Sequence, residues 1–453
     1  MGRGAPSGCG RFGTTSIFVS AVIHWAGTAS DPATRARSRR RMSEEPSILF
    51  VNQHYWPDVA STGQHLTDLA EHLACRGFDV SVLTGRADYM GGELEVPARE
   101  ERNGVRIRRV DVPGFGRGHL LGRTADYAAF HVKAAVAAAL EPRPDLVISL
   151  TTPSLLPATV RAVCAARGVP YAVWAMDLHP DIEDRLDLLP DVAPFVEGLH
   201  AASEWGYRAA EFVVSLGPYM EERIVGKGVP TGRVRRIPVW SRRDEIRPVP
   251  REENPLREAV GLDGAFTVMY SGNAGYAHRF DEVLHAMRLL DGEDGVEFLF
   301  VGGGPREEEI RGYVDEHGIS SFRWRDYFPR KELDRSLSIG DVHLVTLRPD
   351  MAGLAAPGKL QGILAAGRPA VMVGPEASDP GRVLAETGVG AVVEPDGDPR
   401  EGGERLAAVL LELRDQPDRR RELGRRAREV FLERFEREPC CRDWEELLRQ
   451  RVA

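Results

Sequence analysis

Residues 47–77 read SILFVNQHYWPDVASTGQHLTDLAEHLACRG and contain one complete strand–loop–helix unit. Ser47–Val51 is mainly apolar without polar alternation, which is typical of a strand buried on both faces of a sheet. The next segment has apolar residues at the i, i+3, i+4 and i+7 spacing of an amphipathic helix, and Gly77 ends it. Those four residues are Leu66, Leu69, Ala70 and Leu73. A buried strand leading into a helix predicts a parallel sheet with helical crossovers.

The same unit recurs along the chain and divides it into two halves. Further strands are predicted in the first half at residues 80–84, 105–110, 146–150, 171–175 and 212–215, with helices near 124–140, 155–167 and 194–210. Residues 238–255 are rich in proline and charge, which indicates a connection between domains. The alternation then restarts with strands at 267–270, 297–301, 341–346, 370–373 and 390–393. We therefore predict an α/β protein with two facing, doubly wound, Rossmann-like parallel-sheet domains.

The predicted domain organisation has four parts. Residues 1–45 are expected to be a disordered or artefactual extension, because the segment before Met42 is rich in arginine and poor in acidic residues, and lacks periodicity. The two sheet domains are placed at 46–240 and 241–425. Residues 426–453 are predicted to form C-terminal helices that pack back toward the first domain.

Bulk properties exclude several classes of protein. The 453 residues carry a net charge of −9, which argues against broad nucleic-acid binding. The five cysteines show no CxxC spacing, a pattern typical of a reduced, cytoplasmic protein. No apolar run approaches the length that spans a bilayer. We therefore expect a cytoplasmic protein with no nucleic-acid partner and no metal-ligand cluster.

Lysine is rare, and one lysine lies in a suggestive place. Of the 59 basic residues four are lysine, and Lys359 follows a glycine turn in AAPGKLQ, residues 355–361. Unpaired N–H groups at helix starts attract anions, and an ammonium adds compact positive charge. Similar strand-to-glycine turns occur at 271–275 and 301–305, so we expect a diphosphate-bearing ligand at these strand ends. The alternative is that Lys359 is a chance survivor. Neither GxGxxG nor a Walker sequence follows the first strand of either half.

Candidate acid–base groups end a strand of the first half. Asp177 and His179 lie in WAMDLHPD, residues 174–181, where their side chains would face a cleft. Asp177 could instead only cap the turn before Pro180. His54 and the basic residues Arg117 and Arg123 are the candidates for binding an acceptor, although their segments would equally suit structural or surface roles.

The second half contains an ordered set of motifs. A strand–Gly-Asn–helix unit is followed by FVGGGPRE at 300–307, DYFPRKEL at 326–333 and PGKLQGILAAGRP at 357–369. This order resembles retaining glycosyltransferase family 4, and looks closest to bacterial enzymes of the colanic-acid and O-antigen type. The resemblance implies a GT-B architecture in which residues 46–240 bind the acceptor and residues 241–425 bind a nucleotide-diphosphate sugar.

The resemblance also implies roles for individual residues. Asp177 and His179 match a segment that usually reads Asp-Leu-Trp-Pro in this subgroup, with His179 in place of Trp. The implied donor-binding residues surround the phosphates, the sugar and the base. They are Gly63, Gly272, Asn273, Arg279, Gly303, Asp326, Tyr327, Gly358 and Lys359.

One departure from the family pattern concerns the sugar. The wider family carries two glutamates, eight positions apart, that contact the donor sugar and the ribose. Aligned on Ala365-Ala366-Gly367, those positions are Leu354 and Gly362 here. The sugar is therefore gripped differently or differs from the family norm.

The resulting hypothesis is a metal-independent, retaining transferase without a cofactor. It would move a sugar, such as an N-acetylated hexosamine or a deoxysugar, from a UDP-linked donor to a saccharide or polyprenyl-linked acceptor in cell-surface polysaccharide synthesis. Peripheral contact with the inner membrane would accompany a lipid-linked acceptor. The alternatives are a nucleotide-sugar epimerase on the same scaffold, a non-catalytic sugar-nucleotide-binding subunit and, disfavoured by the glycine spacing, a nicotinamide dehydrogenase.

Overall fold

The first sheet has eight strands in a computed structural model that describes residues 45–86, 95–111, 120–395 and 397–452. Its order is β3-β4-β2-β1-β5-β6-β7-β8, and all neighbours are parallel except β3 and β4. The strands are β1 Ser47–Val51, β2 Asp79–Gly85, β3 Arg99–Arg102, β4 Val105–Val110, β5 Leu146–Ser149, β6 Tyr171–Trp174, β7 Val213–Ser215 and β8 Val234–Arg236. We call this sheet with its helices the first lobe.

The second sheet has six parallel strands in the order β11-β10-β9-β12-β13-β14. They are β9 Phe266–Ser271, β10 Val296–Val301, β11 Phe322–Arg325, β12 Val342–Thr346, β13 Ala370–Val373 and β14 Gly390–Val393. This sheet with its helices is the second lobe. The predicted fold class, two doubly wound parallel-sheet domains, is confirmed.

Helices follow the strands in both lobes. Those in the first half of the chain are α1 Ser61–Cys75, α2 Leu120–Leu140, α3 Leu156–Arg167, α4 Asp181–Arg185, α5 Ala193–Arg208 and α6 Pro218–Gly226. Those in the second half are α7 Pro255–Ala259, α8 Asp281–Leu290, α9 Glu307–His317, α10 Leu333–Leu337, α11 Lys359–Ala365, α12 Asp379–Thr387, α13 Pro399–Asp415, α14 Pro417–Arg434 and α15 Arg437–Val452. In the described part of the chain, none of these helices is both long and apolar enough to cross a bilayer.

Alternate residues of β1 enter the two cores of the first lobe. Ile48 and Phe50 lie in the core beneath α1, and Leu49 and Val51 lie in the core beneath α2 and α3. Because successive strand residues point to opposite faces, a strand covered on both sides must be apolar throughout. The apolar run of β1 is therefore the sequence signature of a central parallel strand.

Three edge strands were not predicted. β3 reads REER and pairs antiparallel with β4 at the edge of the sheet, so its charged side chains stay accessible to water. β8 and β11 are also edge strands, and each of them carries two arginines.

The chain returns to the first lobe at its end. Phe431 of α14 lies in a second-lobe core, whereas Trp444 of α15 is buried with Trp174 and α1 in the first lobe. The predicted boundary between residues 425 and 426 therefore falls inside α14. The crossing follows at Glu436, which pairs with Ser241 of the outgoing connection.

The two lobes meet through segments that follow the carboxyl ends of their strands. Leu178, after β6, donates its N–H to the carbonyl of Leu354, after β12, at 2.9 Å. Tyr219 at the start of α6 donates its N–H to Asp379 Oδ1 at 3.0 Å. Carboxyl ends of parallel strands are where ligands bind in such sheets, so the seam between the lobes is the place to look for a site.

Candidate functional site

Two glycine loops of the second lobe pack directly on each other. Gly272 and Gly302 follow β9 and β10 with φ values of 135° and 129°, which disfavour other residues. A Cβ on Gly302 would lie 2.5 Å from the Gly272 carbonyl oxygen. The Ala274 N–H donates to the Gly303 carbonyl at 2.8 Å. The two loops thus form one continuous backbone surface.

Lys359 lies across this surface. It is the first residue of α11, and a Cβ on Gly272 would be 2.6 Å from its Cε atom. Its Nζ atom lies 2.9 Å from His278 Nε2 and 5.1 Å from the centre of the Tyr270 ring. Burial lowers the pKa of Lys359 to about 7. No described carboxylate contributes to that shift, so the ammonium has only neutral partners.

His278 was not predicted as a site residue. Its Nδ1–H donates to the Thr346 carbonyl at 2.6 Å, which leaves Nε2 as the acceptor for Lys359. Burial and then the neighbouring Lys359 lower the pKa of His278 to about 3, so the imidazole is neutral. The contact joins residues 81 positions apart, so no local sequence pattern indicates it.

The Lys359 loop faces the first lobe. A Cβ on Gly358 would lie 3.9 Å from Ser61 Oγ, at the first residue of α1. Gly63 lies on the same helix, where a Cβ would be 3.1 Å from the backbone of His54. Gly63 therefore lets α1 pack closely on the preceding loop, and Gly358 lies where the lobes meet.

The predicted phosphate-binding arginine is engaged elsewhere. Arg279, two residues before α8, donates its Nε–H to Glu282 Oε1 in the first turn of that helix at 2.8 Å. Arg306, which the sequence analysis did not select, donates to the His278 carbonyl at 3.1 Å. In this structure the cation that lies on the glycine surface is thus Lys359, while Arg279 neutralises a buried glutamate.

The remaining donor-side candidates surround the glycine loops. Asn273 is exposed, and its Oδ1 would be 2.5 Å from a Cβ on Gly304. Tyr327 is 51% exposed, and its Cζ would lie 3.0 Å from a Cβ on Gly302. Asp326 is exposed beside it. An exposed ring next to the glycine surface is a suitable wall for a planar base.

Asp177 lies at the seam between the lobes. Its carboxylate accepts a hydrogen bond from the Ala356 N–H, three residues before Lys359, and its own N–H donates to Thr151 Oγ1 at 3.2 Å. Burial raises the pKa of Asp177, and His179 opposes the rise. The structure therefore places Asp177 at the seam between the lobes, beside the loop that carries Lys359.

His179 is held by a glutamate that the sequence analysis missed. Its Nδ1 lies 2.8 Å from Glu183 Oε1, which also accepts from Ser154 Oγ at 2.6 Å. Burial opposes the charge of both groups, but their mutual hydrogen bond raises the pKa of His179 and lowers that of Glu183 to about 2. The i, i+4 spacing into α4 was a usable signal for this pair.

The acceptor candidates are less well placed by the structure. His54 is buried, with its Nδ1 2.6 Å from Asp58 Oδ2. Arg117 and the side chain of Arg123 lie outside the described residues. Within the described ranges, no group of three or more His, Cys, Asp or Glu residues could hold a metal ion. Metal independence stays a prediction.

The two positions expected to carry family glutamates do not line the glycine surface. Leu354 is 2% exposed and packs into the core of the first lobe. A Cβ on Gly362 would lie 3.3 Å from Leu337 Cδ1, so this position faces the second-lobe interior. Leu354 has become part of the seam between the lobes.

Comparison with known proteins agrees with this arrangement. Residues 62–240 match the family described as "Glycosyl transferase 4-like domain". The probable glycosyltransferase WbjE of Pseudomonas aeruginosa is 28% identical over 248 residues, which cover 55% of this chain and 62% of WbjE. The putative colanic acid biosynthesis glycosyl transferase WcaI of Escherichia coli strain K12 is 25% identical over 365 residues, 77% of this chain and 88% of WcaI.

Solved structures share the two-lobe architecture. Sucrose-phosphate synthase from Thermosynechococcus elongatus superposes with a TM-score of 0.70 at 18% identity, covering 90% of this chain and 99% of that one. HepE from Anabaena, solved in complex with UDP and glucose, has a TM-score of 0.67 at 15% identity, covering 90% and 100%. At these identities the likeness establishes the fold, which is GT-B. Residues 62–240 are therefore similar to a glycosyltransferase 4-like domain, and both curated relatives are described as glycosyltransferases.

Proposed function

We propose that the protein is a retaining transferase that uses a UDP-linked sugar as donor and a saccharide or polyprenyl-linked saccharide as acceptor. The observation that carries this proposal is the Lys359 ammonium, which lies on the Gly272 surface and has only neutral partners among the residues that the structure describes. A buried cation without a counter-ion favours an anionic ligand, because the ligand supplies the missing charge. The complex of HepE with UDP and glucose supports a uridine nucleotide.

The proposed chemistry is cleavage of the bond between the sugar C1 atom and the diphosphate oxygen. The departing diphosphate gains negative charge, and Lys359 lies where it can stabilise that charge in a closed site. The acceptor hydroxyl then attacks from the same face, and the leaving phosphate oxygen takes its proton. Asp177 and His179 position the acceptor, and the reaction needs no metal ion or cofactor.

We further propose that the acceptor is used at the cytoplasmic face of the inner membrane, in cell-surface polysaccharide synthesis. The name of WcaI supports this class of pathway. The water-facing side of α2 is apolar over several turns, with Val132, Val136 and Leu140 64%, 55% and 71% exposed. An apolar helix face can lie at a bilayer surface, which suits a lipid-linked acceptor.

Donor binding is tested with Lys359→Met and the matched control Lys331→Met, since Lys331 is an exposed lysine of the same lobe. We expect UDP-sugars to raise the melting temperature of the wild type and the control more than GDP- or dTDP-sugars do. The Lys359 variant should lose most of this shift. Equal stabilisation of both variants would remove Lys359 from the donor site.

Stereochemistry and membrane contact need separate measurements. NMR of the product should show the same anomeric configuration as the donor sugar, and an inverted product would contradict the retaining mechanism.

The full chain should float with vesicles of bacterial lipid, and replacing Val132, Val136 and Leu140 by serine should abolish flotation without changing donor binding. Flotation of that variant at the wild-type level would refute the proposal that the exposed face of α2 contacts the membrane.

A further inference from the structure

We propose that His278 is a positioning residue for donor binding, whose neutral imidazole holds the Lys359 ammonium over Gly272 where it meets the diphosphate. This inference rests on the proposed function and adds a residue that the family resemblance did not supply. The contact is direct, with Nζ and Nε2 separated by 2.9 Å.

The imidazole is fixed in the orientation that this role requires. The Nδ1–H donates to the Thr346 carbonyl at the end of β12, so the tautomer with a free Nε2 lone pair is selected. Tyr270 and Phe280 pack around the ring, with centroids 6.1 Å and 6.4 Å away. The hydrogen bond to Thr346 therefore holds the His278 ring in one orientation, with Nε2 available as a hydrogen-bond acceptor.

Lys359 needs such a partner because its side chain is flexible. Four rotatable bonds cost up to roughly 2 kcal/mol of conformational entropy when they are ordered. The side chain crosses the space left by Gly272, and the Tyr270 ring face lies 5.1 Å from its ammonium. A fixed acceptor beyond Gly272 holds the side chain in place before the donor arrives, which lowers the cost of binding.

A neutral partner suits this site better than a carboxylate would. An aspartate or glutamate at position 278 would neutralise the ammonium and compete with the phosphate. An imidazole accepts a hydrogen bond and leaves the positive charge available. Besides Lys359, the charged side chain of Arg306 lies next to His278; it donates to the His278 carbonyl, and both cations disfavour a second proton on the ring.

The test compares His278→Gln with His278→Met, two side chains of similar shape of which only glutamine can accept a hydrogen bond. UDP affinity is measured by calorimetry on the full chain, alone and in the Lys359→Met background. We expect the methionine variant to bind UDP about tenfold more weakly, as for loss of a hydrogen bond to a charged group, and the glutamine variant to stay within threefold of the wild type. In the Lys359→Met background, His278→Met should cause no further loss.

Equal losses from His278→Met in both backgrounds would mean that the histidine supports only the fold, and would overturn the proposal. So would a glutamine variant as weak as the methionine variant.

A ligand-free measurement separates this inference from the proposed function. The rate at which Lys359 is acylated at pH 7, mapped by mass spectrometry, should rise several-fold in His278→Met and not in His278→Gln, because the acceptor stabilises the ammonium over the reactive amine. That rise without any UDP binding by the wild type would refute the proposed function and retain the pairing. If the wild type binds UDP but Lys359 is acylated at the same rate in the wild type and in both His278 variants, the pairing of His278 with Lys359 is refuted and the proposed function is retained.

Discussion

Gly272 and Lys359 depend on each other at the scale of single residues. The missing side chain of Gly272 is what lets the Lys359 chain cross the loop, since an added Cβ would lie 2.6 Å from Cε. We expect Gly272→Ala to displace the ammonium and to lower UDP-sugar affinity at least tenfold. The positive φ adds roughly 1–2 kcal/mol of backbone strain. Calorimetry with UDP measures the first effect and thermal unfolding the second.

Gly292→Ala is the matched control for this prediction. Gly292 has a φ of 85°, and a Cβ there meets no atom within 4 Å. The control should therefore lose stability from backbone strain while it keeps donor affinity. If both alanine variants bind UDP as the wild type does, the glycine is not needed for the position of Lys359.

The His179–Glu183 pair makes a pH-dependent contribution to stability. The pKa of Glu183 falls from 4.5 to about 2 in the folded protein, so its contribution is full above pH 4.5 and is lost as the pH falls toward about 2. The pKa of His179 is raised, so the imidazolium contribution is present at low pH and is lost as the pH rises through that raised pKa. Glu183→Gln should therefore lower the free energy of unfolding most at a pH between the pKa of Glu183 and that of His179. At pH 6 we expect a loss of roughly 1–3 kcal/mol, measured by chemical denaturation.

Glu204→Gln serves as the comparison for Glu183→Gln. Glu204 pairs with Arg208 at the same i, i+4 spacing, but this pair is largely exposed to solvent. Such pairs contribute little, so its loss should change stability by well under 1 kcal/mol. Equal losses in the two variants would show that burial does not strengthen the His179–Glu183 pair.

The residues recognisable in the sequence are those whose chemistry shows locally. Glycines after apolar strands and a lysine before a helix pointed to the loops at 271–275, 301–305 and 355–361, and the structure places these loops together. Their partners depend on tertiary structure. His278 reaches Lys359 across 81 positions, and Arg279 is taken by Glu282 rather than left for a phosphate.

Elements were predictable to the extent that they are buried. Strands inside the sheets, such as β1 and β13, are apolar on both faces, and their continuous apolar runs identify them. Edge strands such as β3 and β8 carry charged side chains because one side of the strand stays open to water. Their sequences therefore look like surface loops, and only pairing with a neighbour makes them strands.

The last helix, α15, completes the core of the first lobe. Trp444 is fully buried, and its ring centre is 4.8 Å from that of Trp174 in β6. We expect Trp444→Ala to destabilise the protein by about 3–5 kcal/mol, as for other buried aromatic residues. Trp205→Ala should lower the free energy of unfolding by well under half as much, because the Trp205 side chain is 42% exposed. Urea denaturation followed by circular dichroism compares them, and equal midpoints would contradict a structural role for α15.

Contacts between the lobes show how the whole molecule assembles its site. Leu354 inserts into the first-lobe core, and its carbonyl accepts the Leu178 N–H. The next residues of the same loop contact Asp177 and then supply Lys359. Closing the lobes thus fixes the position of the loop that carries the cation. At Leu354, where the family resemblance implied a glutamate, the side chain and the carbonyl thus make interlobe contacts.

A substitution of Asp379 tests whether the contacts between the lobes hold them closed. Its carboxylate, at the start of α12, accepts N–H groups of Tyr219 and Met220 from the first lobe. We expect Asp379→Ala to open the lobes, which would increase the radius of gyration without ligand and weaken UDP binding by about threefold to tenfold, as for the loss of one or two hydrogen bonds. Saturating UDP should restore the compact form.

Glu386→Ala on the same helix is the control, because the ion pairs of Glu386 lie within the second lobe. Its small-angle X-ray scattering should match that of the wild type. Identical small-angle scattering from Asp379→Ala and the wild type would mean that the seam does not control closure.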